Sequence, residues 1–92
     1  MKIIQSSKFE KIVKKFSSMQ KKELDKHIIK IMANPNLGLQ KKGDLNGVFV
    51  YKFKLESNQY LLAYKFSTEK LELLMIGAHE NYYRELKKYL KS

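Results

Sequence analysis

In the segment 48–55, VFVYKFKL, lysine alternates with apolar residues from Tyr51 to Leu55, and this segment constrains the fold more than any other part of the chain. Successive side chains of a β-strand point to opposite faces, so Lys52 and Lys54 share one face while Tyr51 and Phe53 share the other. The two lysines are then ~7 Å apart along the strand. The pattern predicts a strand that anchors its apolar face in a core and turns cations outward.

Two further alternating segments follow this strand. Strands are predicted at 47–55, 58–66 and 70–77, and only two or three residues separate one from the next. Connections this short predict antiparallel hairpins.

The N-terminal part of the chain has a different periodicity. Ile3 and Ile4 predict a short first strand, and Ser7 then stands three residues before Glu10, as in a capping box. Apolar residues follow at helical spacing. A second capping signature at Ser17 and Gln20 predicts another helix almost at once, which ends before Pro35 because a residue preceding proline avoids helical geometry. The two helices should form a hairpin.

A last helix is predicted at about 79–91, with Tyr82, Leu86 and Tyr89 on its buried side. The predicted fold is one α+β domain spanning residues 1–92. A short N-terminal strand and a helical hairpin pack on a curved antiparallel sheet, and a C-terminal helix follows.

The helices are expected on one face of this sheet. The outward face would then carry apolar side chains that suit a covering partner peptide better than water. These are Val48, Val50, Leu61 and Ala63.

Charge and composition restrict the function. Lysine and arginine number 19 against 9 acidic residues, a formal net charge of +10, which favours a polyanionic partner such as nucleic acid, the ribosome or an acidic protein. The competing interpretation is that the lysines only keep a small protein soluble. The chain has no cysteine and no secretory signal, so a cytoplasmic protein is expected. Apolar runs are too short to span a bilayer, and neither metal-ligand spacing nor a cofactor motif is present.

Three segments together resemble the RelE/ParE superfamily of bacterial toxins. Residues 51–55 (YKFKL) are similar to the Tyr-Lys-Ile-Lys-Leu stretch of RelE, and 60–64 (YLLAY) are similar to its next strand. Residues 77–83 (GAHENYY) resemble the corresponding segment of YafQ-type toxins. The resemblance covers nearly the whole chain. It implies a metal-free, cofactor-free endoribonuclease that cleaves mRNA on the ribosome, inhibits translation and is held inactive by a cognate antitoxin.

The resemblance implies His79, Lys52, Lys54 and Tyr83 as catalytic candidates. Lys41, Lys42, Lys65 and Arg84 are RNA-binding candidates for a different reason, because they are further cations expected close to these residues.

Metal-free RNA cleavage uses the 2′-hydroxyl of the substrate and needs a base, an acid and cations. His79 is the best proton-transfer candidate, because histidine titrates nearest to neutral pH; a helix cap or surface histidine is the competing interpretation. Repulsion between Lys52 and Lys54 is only ~0.6–2.4 kcal/mol, which favours phosphate clamps over a general base. Tyr83 either stacks on a base or packs in the core.

Three other positions are informative. Leu61 occupies the place of an arginine in RelE, so one phosphate-binding group is missing. His79 corresponds to a second RelE arginine, which brings the site closer to YafQ. His27 lies beside an apolar helical stripe and is interpreted as structural.

Two other functions remain open. One is a ParE-like protein that inhibits DNA gyrase by binding, although ParE proteins lack the lysine pair and the histidine. The other is a non-catalytic basic module that binds nucleic acid or protein through charge alone.

Overall fold

The protein is described by a computed structural model that covers residues 1–78 and 80–91. In chain order the elements are β1 (Lys2–Gln5), α1 (Ser7–Val13), α2 (Ser18–Ala33), β2 (Leu39–Gln40), β3 (Phe49–Leu55), β4 (Asn58–Phe66), β5 (Lys70–Ala78) and α3 (Tyr82–Lys91). The three long strands, the first strand and all three helices match the sequence prediction. Strand β2 was not predicted, because two residues are too few to display an alternation.

The strands form one sheet in the order β1-β5-β4-β3-β2. The pairs among β2, β3, β4 and β5 are antiparallel, whereas β1 runs parallel to β5. At the β3–β4 turn, Glu56 and Ser57 both have positive φ, 50° and 77°. Two successive left-handed residues are the signature of the turn that matches the twist of a two-residue hairpin.

The helix caps lie close to their predicted positions. Ser17 and Gln20 form the predicted reciprocal capping box at α2. At α1 the cap is Ser6, one residue before the predicted Ser7, and its hydroxyl accepts a hydrogen bond from the Phe9 amide. The Ser6 hydroxyl also donates to the carbonyl of Leu74, which ties the start of α1 to β5.

The helical hairpin of α1 and α2 covers one face of the sheet. Its side chains and the inward residues of the long strands make a first core cluster, whose buried members are Phe9, Leu24, Ile28, Ile31, Phe53, Leu55, Leu62, Tyr64, Leu71, Leu73 and Ile76. Half-buried aromatic rings, such as Phe16 and Tyr60, border the cluster.

The other face of the sheet carries α3. A second core cluster fills that layer and consists of Leu45, Val48, Val50, Leu61, Ala63, Met75, Tyr82 and Leu86. The predicted fold class is confirmed, but the expectation that all helices lie on one face is wrong. The expectation of an apolar strand face open to a partner peptide is also wrong, since α3 and the turn at Gly43–Leu45 bury that face.

Tyr64 connects the sheet to the segment that leads into β2. Its buried hydroxyl donates to the carbonyl of Pro35 at 2.6 Å and accepts from the amide of Gly38 at 2.9 Å. A Cβ at Gly38 would lie only 2.8 Å from that hydroxyl, so a side chain has no room there. Burial raises the pKa of Tyr64, which keeps the hydroxyl protonated as a donor.

No helix in the described ranges is both long enough and apolar enough to cross a bilayer.

Replacing Tyr64 with phenylalanine should destabilise the protein by about 1–3 kcal/mol, because the Gly38 amide and the Pro35 carbonyl lose their partner. Urea unfolding measures the change. Tyr60→Phe, on the same strand and half-buried, is the matched control and should change stability by less than about 0.5 kcal/mol. Equal losses in both variants would contradict the role given to the Tyr64 hydroxyl.

Candidate functional site: a cationic cleft at the edge of β3

One face of β3 changes from apolar to basic halfway along the strand. Val50 is buried under α3, with 3% of its surface exposed, whereas Lys52 and Lys54 on the same face are exposed. Helix α3 therefore covers only the first part of this strand face, and the lysines lie just beyond the covered area.

A cleft of about 340 Å³ opens at this boundary. Its lining residues are Leu37, Gly38, Leu39, Lys41, Val50, Tyr51, Lys52 and Tyr83. The cleft thus combines an apolar wall, two lysines and two tyrosines.

The cleft follows from the shortness of β2. Leu39 pairs with Val50 and Gln40 pairs with Phe49, and the Lys41 amide then donates to the Val48 carbonyl at 2.8 Å. In an antiparallel ladder, hydrogen-bonding residues recur every second position on the same side of the strand. The backbone groups of Val50 therefore face β2, and those of Lys52 face the open continuation of the same edge.

Tyr83 reaches the cleft because its neighbour Tyr82 is anchored in the core. Tyr82 is buried and donates its hydroxyl to the Met75 carbonyl at 2.7 Å. Burial raises the pKa of Tyr82, so this hydroxyl remains a donor at physiological pH. The ring also lies against Gly77, where an added Cβ would approach it to 3.3 Å.

The ring of Tyr83 is in contact with a lysine ammonium group. The Lys41 ammonium lies 4.8 Å from its centroid, within the range of a cation–π contact, and Tyr82 meets it edge to face at 5.7 Å. Tyr83 is half-buried and also packs against the second core cluster. The side chain therefore supports the core, as one of the two interpretations expected, and its ring also lines the cleft; stacking on a base stays a prediction.

Among the predicted site residues, the structure gathers Lys52, Lys41 and Tyr83 around the cleft. Lys54 lies two residues further along the same strand face, opposite Gln59. Lys42 is exposed at the start of the Gly43–Leu45 turn.

Two other predicted cations lie apart from this group. Lys65 lies on β4, opposite Glu72 of β5. Leu61, the residue of β4 opposite Lys52, is four residues away along the same strand. That separation corresponds to about 13 Å along the strand. Arg84 is exposed on α3 and does not line the cleft.

His79, the predicted proton-transfer residue, lies outside the described residues.

Leu61 is fully buried between Lys52 on β3 and Gly77 on β5. It belongs to the second core cluster under α3. At this position, which the resemblance matched to an arginine of RelE, the structure has a core side chain, so this residue stabilises the α3 layer and supplies no charge.

Sequence reasoning did not identify the apolar wall. Leu37 and Leu39 are exposed by 44% and 63%, unusual values for leucine, and they line the cleft beside Tyr51. The available signal was a pair of leucines within the polar, turn-forming segment after Pro35.

Within residues 1–78 and 80–91, no group of three or more histidine, aspartate or glutamate side chains is placed to hold a metal ion.

The sequence matches one protein family, described as ParE-like toxin of type II bacterial toxin-antitoxin system, over residues 3–87. No curated protein matches it at a significant level.

Solved structures share its fold. One is the free Escherichia coli toxin RelE, solved as a mutant with two arginines replaced by alanine. It superposes with a TM-score of 0.72 at 18% identity, and the match covers 98% of this chain and 95% of RelE. The intact E. coli RelBE toxin–antitoxin complex contains a chain with a TM-score of 0.68 at 21% identity, over 86% of this chain and 96% of that one. A YoeB/ParE toxin from Agrobacterium tumefaciens has a TM-score of 0.63 at 17% identity, over 86% and 99%.

Replacing Lys41 with methionine removes the cation from the Tyr83 ring but keeps a long side chain. The variant should lose about 0.5–1 kcal/mol of stability, the value of an exposed cation–π contact. Lys42→Met, one residue away and exposed, makes the same change in net charge and should have almost no effect. Chemical denaturation of both variants measures the difference, and equal stabilities would contradict a Lys41–Tyr83 contact.

Proposed function

This chain belongs to the ParE-like toxins of type II bacterial toxin–antitoxin systems, within the RelE/ParE superfamily, and we propose that it is a ribosome-dependent mRNA endonuclease. The observation that carries the proposal is the arrangement of Lys52, Lys41 and Tyr83 around one open cleft. Ammonium groups bind phosphate, and accessible aromatic rings stack on unpaired bases. A cleft with both suits a single-stranded nucleic acid.

The cationic surface extends beyond the cleft. The exposed Lys54 continues it along β3, as binding of a chain of phosphates requires.

The proposed reaction is cleavage by the 2′-hydroxyl of the substrate. The 2′-oxygen forms a bond to the adjacent phosphorus, the bond from phosphorus to the 5′-oxygen breaks, and the products end in a 2′,3′-cyclic phosphate and a 5′-hydroxyl. One proton leaves the 2′-hydroxyl and one is delivered to the departing 5′-oxygen, so the site needs a base and an acid.

Lys52 and Lys54 stabilise the extra negative charge on the pentavalent phosphorus, where a preorganised cation is most effective. His79 is assigned to proton transfer, because neutral and protonated imidazole are both available near neutral pH. Tyr83 orients the base next to the cleaved bond. Lys41, and further out Lys42, Lys65 and Arg84, bind flanking phosphates.

A cognate antitoxin is proposed as the protein partner, because the chain belongs to a toxin–antitoxin family and carries a formal charge of +10. The antitoxin segment that contacts the toxin should be acidic, since charge complementarity directs association. The toxin would act in the cytoplasm, where translating ribosomes are found.

A second candidate function is inhibition of DNA gyrase by binding. The description of the matched family as ParE-like favours it, and so does the buried Leu61, which supplies no cation to a catalytic site. The exposed Lys52 and Lys54 are the features that argue against it.

Replacing Lys52 with alanine should lower the cleavage rate by about 10²-fold or more, because a cation that stabilises the transition state is lost. Replacing His79 with alanine should have an effect at least as large. Mapping mRNA 5′ ends in cells soon after induction measures this: the wild-type chain should create new ends within translated frames, and both variants should lose them.

The matched control is Lys70→Ala, an exposed lysine at the start of β5 with the same change in charge. It should leave the mRNA ends and the growth arrest unchanged. Growth arrest by the wild-type chain with intact mRNA and broken DNA would instead support gyrase inhibition. Full toxicity of a folded Lys52→Ala, His79→Ala double variant would exclude the proposed chemistry.

A further inference from the structure

Helix α2 reaches strand β3 through a polar contact between two half-buried aromatic side chains. The Nδ1 atom of His27 lies 2.7 Å from the hydroxyl oxygen of Tyr51, and the ring centroids are 5.5 Å apart. Tyr51 is one of the residues that line the cleft and is the chain neighbour of Lys52. This contact therefore connects the helical layer directly to the candidate site.

The imidazole is itself held in place. The ring of His27 packs at 4.7 Å against Phe53, and Phe53 stacks on Tyr51 at 5.5 Å with an interplanar angle of 26°. The three rings form a closed triangle between α2 and β3. A shift of the imidazole would be transmitted to both aromatic residues that flank Lys52.

The edge of β3 needs such an anchor. Strand β2 pairs only with Phe49 and Val50, so from Tyr51 onward β3 has β4 on one side and, in the described part of the chain, no strand on the other. A strand edge without a partner is less restrained than a paired one. The contact from α2 restrains this edge where it borders the cleft.

We propose that His27 is a positioning residue for the cleft. In its neutral form it accepts a hydrogen bond from the Tyr51 hydroxyl and holds the β3 edge at Lys52 in place. Protonation of the imidazole loosens that edge. The titratable and charged groups that face the imidazole are Glu23 and Lys30 on α2 and Tyr51 on β3.

The direction of this hydrogen bond depends on the protonation of the imidazole. When the proton of the neutral ring is on Nε2, Nδ1 accepts from the Tyr51 hydroxyl; protonation of Nδ1 turns it into a donor, so the hydrogen bond reverses and the Tyr51 hydroxyl must turn its own proton elsewhere. Burial lowers the pKa of His27 below its usual value, Lys30 lowers it further, and the opposing effect of Glu23 is smaller. The folded protein thus favours the neutral imidazole.

The direction of the pH effect follows from this shift. Because the pKa of His27 is lower in the folded protein than in the unfolded chain, the unfolded chain binds more protons as the pH falls below about 6.5. The stability contributed by the neutral imidazole is complete above that pH. It decreases as the pH falls toward the folded-state pKa.

Nuclear magnetic resonance of the free protein tests the proposal without any assumption about RNA. The chain has two histidines, so His79→Gln leaves a single imidazole signal, that of His27. Between pH 8 and pH 5, the Tyr51 ring and the Lys52 amide should shift with the midpoint of His27. The ring of Tyr82, in the second core cluster on the other face of the sheet, should not follow that midpoint.

Two variants decide between coupling and coincidence. His27→Gln retains an acceptor for the Tyr51 hydroxyl but cannot titrate, so the shifts at Tyr51 and Lys52 should disappear. Tyr51→Phe removes the donor that stabilises the neutral imidazole, so the midpoint of His27 should rise toward its usual value. Tyr60→Phe is the matched control and should leave the midpoint unchanged.

The proposal would be overturned if the Tyr51 and Lys52 resonances did not shift while His27 titrates. So would shifts that persist in His27→Gln, or a His27 midpoint unaffected by Tyr51→Phe. If His27→Gln fails to fold, the Tyr51→Phe titration still decides the question.

The consequence for activity rests on the proposed function. In a cleavage assay, the wild-type rate should fall more steeply than that of His27→Gln as the pH drops from 7 to 5.5. The conservative glutamine variant should keep most of the rate at pH 7.5. Absence of cleavage in every sample would count against the proposed function alone, because the spectroscopic result does not depend on it.

Discussion

The need to bury both faces of the central strands organises this protein. One face of β3, β4 and β5 packs against the helical hairpin, and the other face is equally apolar over part of its length, at Val50, Leu61, Ala63 and Met75. A ten-residue helix, α3, is sufficient to cover that part but no more. The uncovered remainder is where Lys52 and Lys54 are exposed, so the candidate site lies at the border of the covered area.

The same border explains the composition of the cleft. Tyr82 must be buried to complete the α3 layer, and its neighbour Tyr83 is then directed toward the edge of β3. On the opposite side, the Tyr64 hydroxyl holds Pro35 and Gly38 and thereby positions the short strand β2. An aromatic ring and an apolar wall are brought to the lysines by interactions whose first role is structural.

Much of this architecture could be predicted from local patterns. Strand alternation identified β3, β4 and β5 and assigned Lys52 and Lys54 to one face, and the capping box at Ser17 located the start of α2. The alternation also grouped the apolar residues of the second face correctly. The expected cover, a partner peptide, was wrong, because α3 covers these residues. A pattern along one strand shows that a face must be covered, but it does not show which element covers it. His27 was interpreted as structural, and its contact with Tyr51 joins residues 24 positions apart.

The sequence by itself determined the order of elements and the faces of the strands, because these properties depend on neighbours two to four residues apart. It also determined the excess of positive charge, which depends on composition alone. Only the tertiary structure decided that α3 lies opposite the hairpin, that Leu61 is a core residue and that Lys41 lies over Tyr83. It also decided that Lys65 lies apart from the cleft. Those outcomes depend on how separate elements divide one limited apolar surface between them, and no segment carries that information alone.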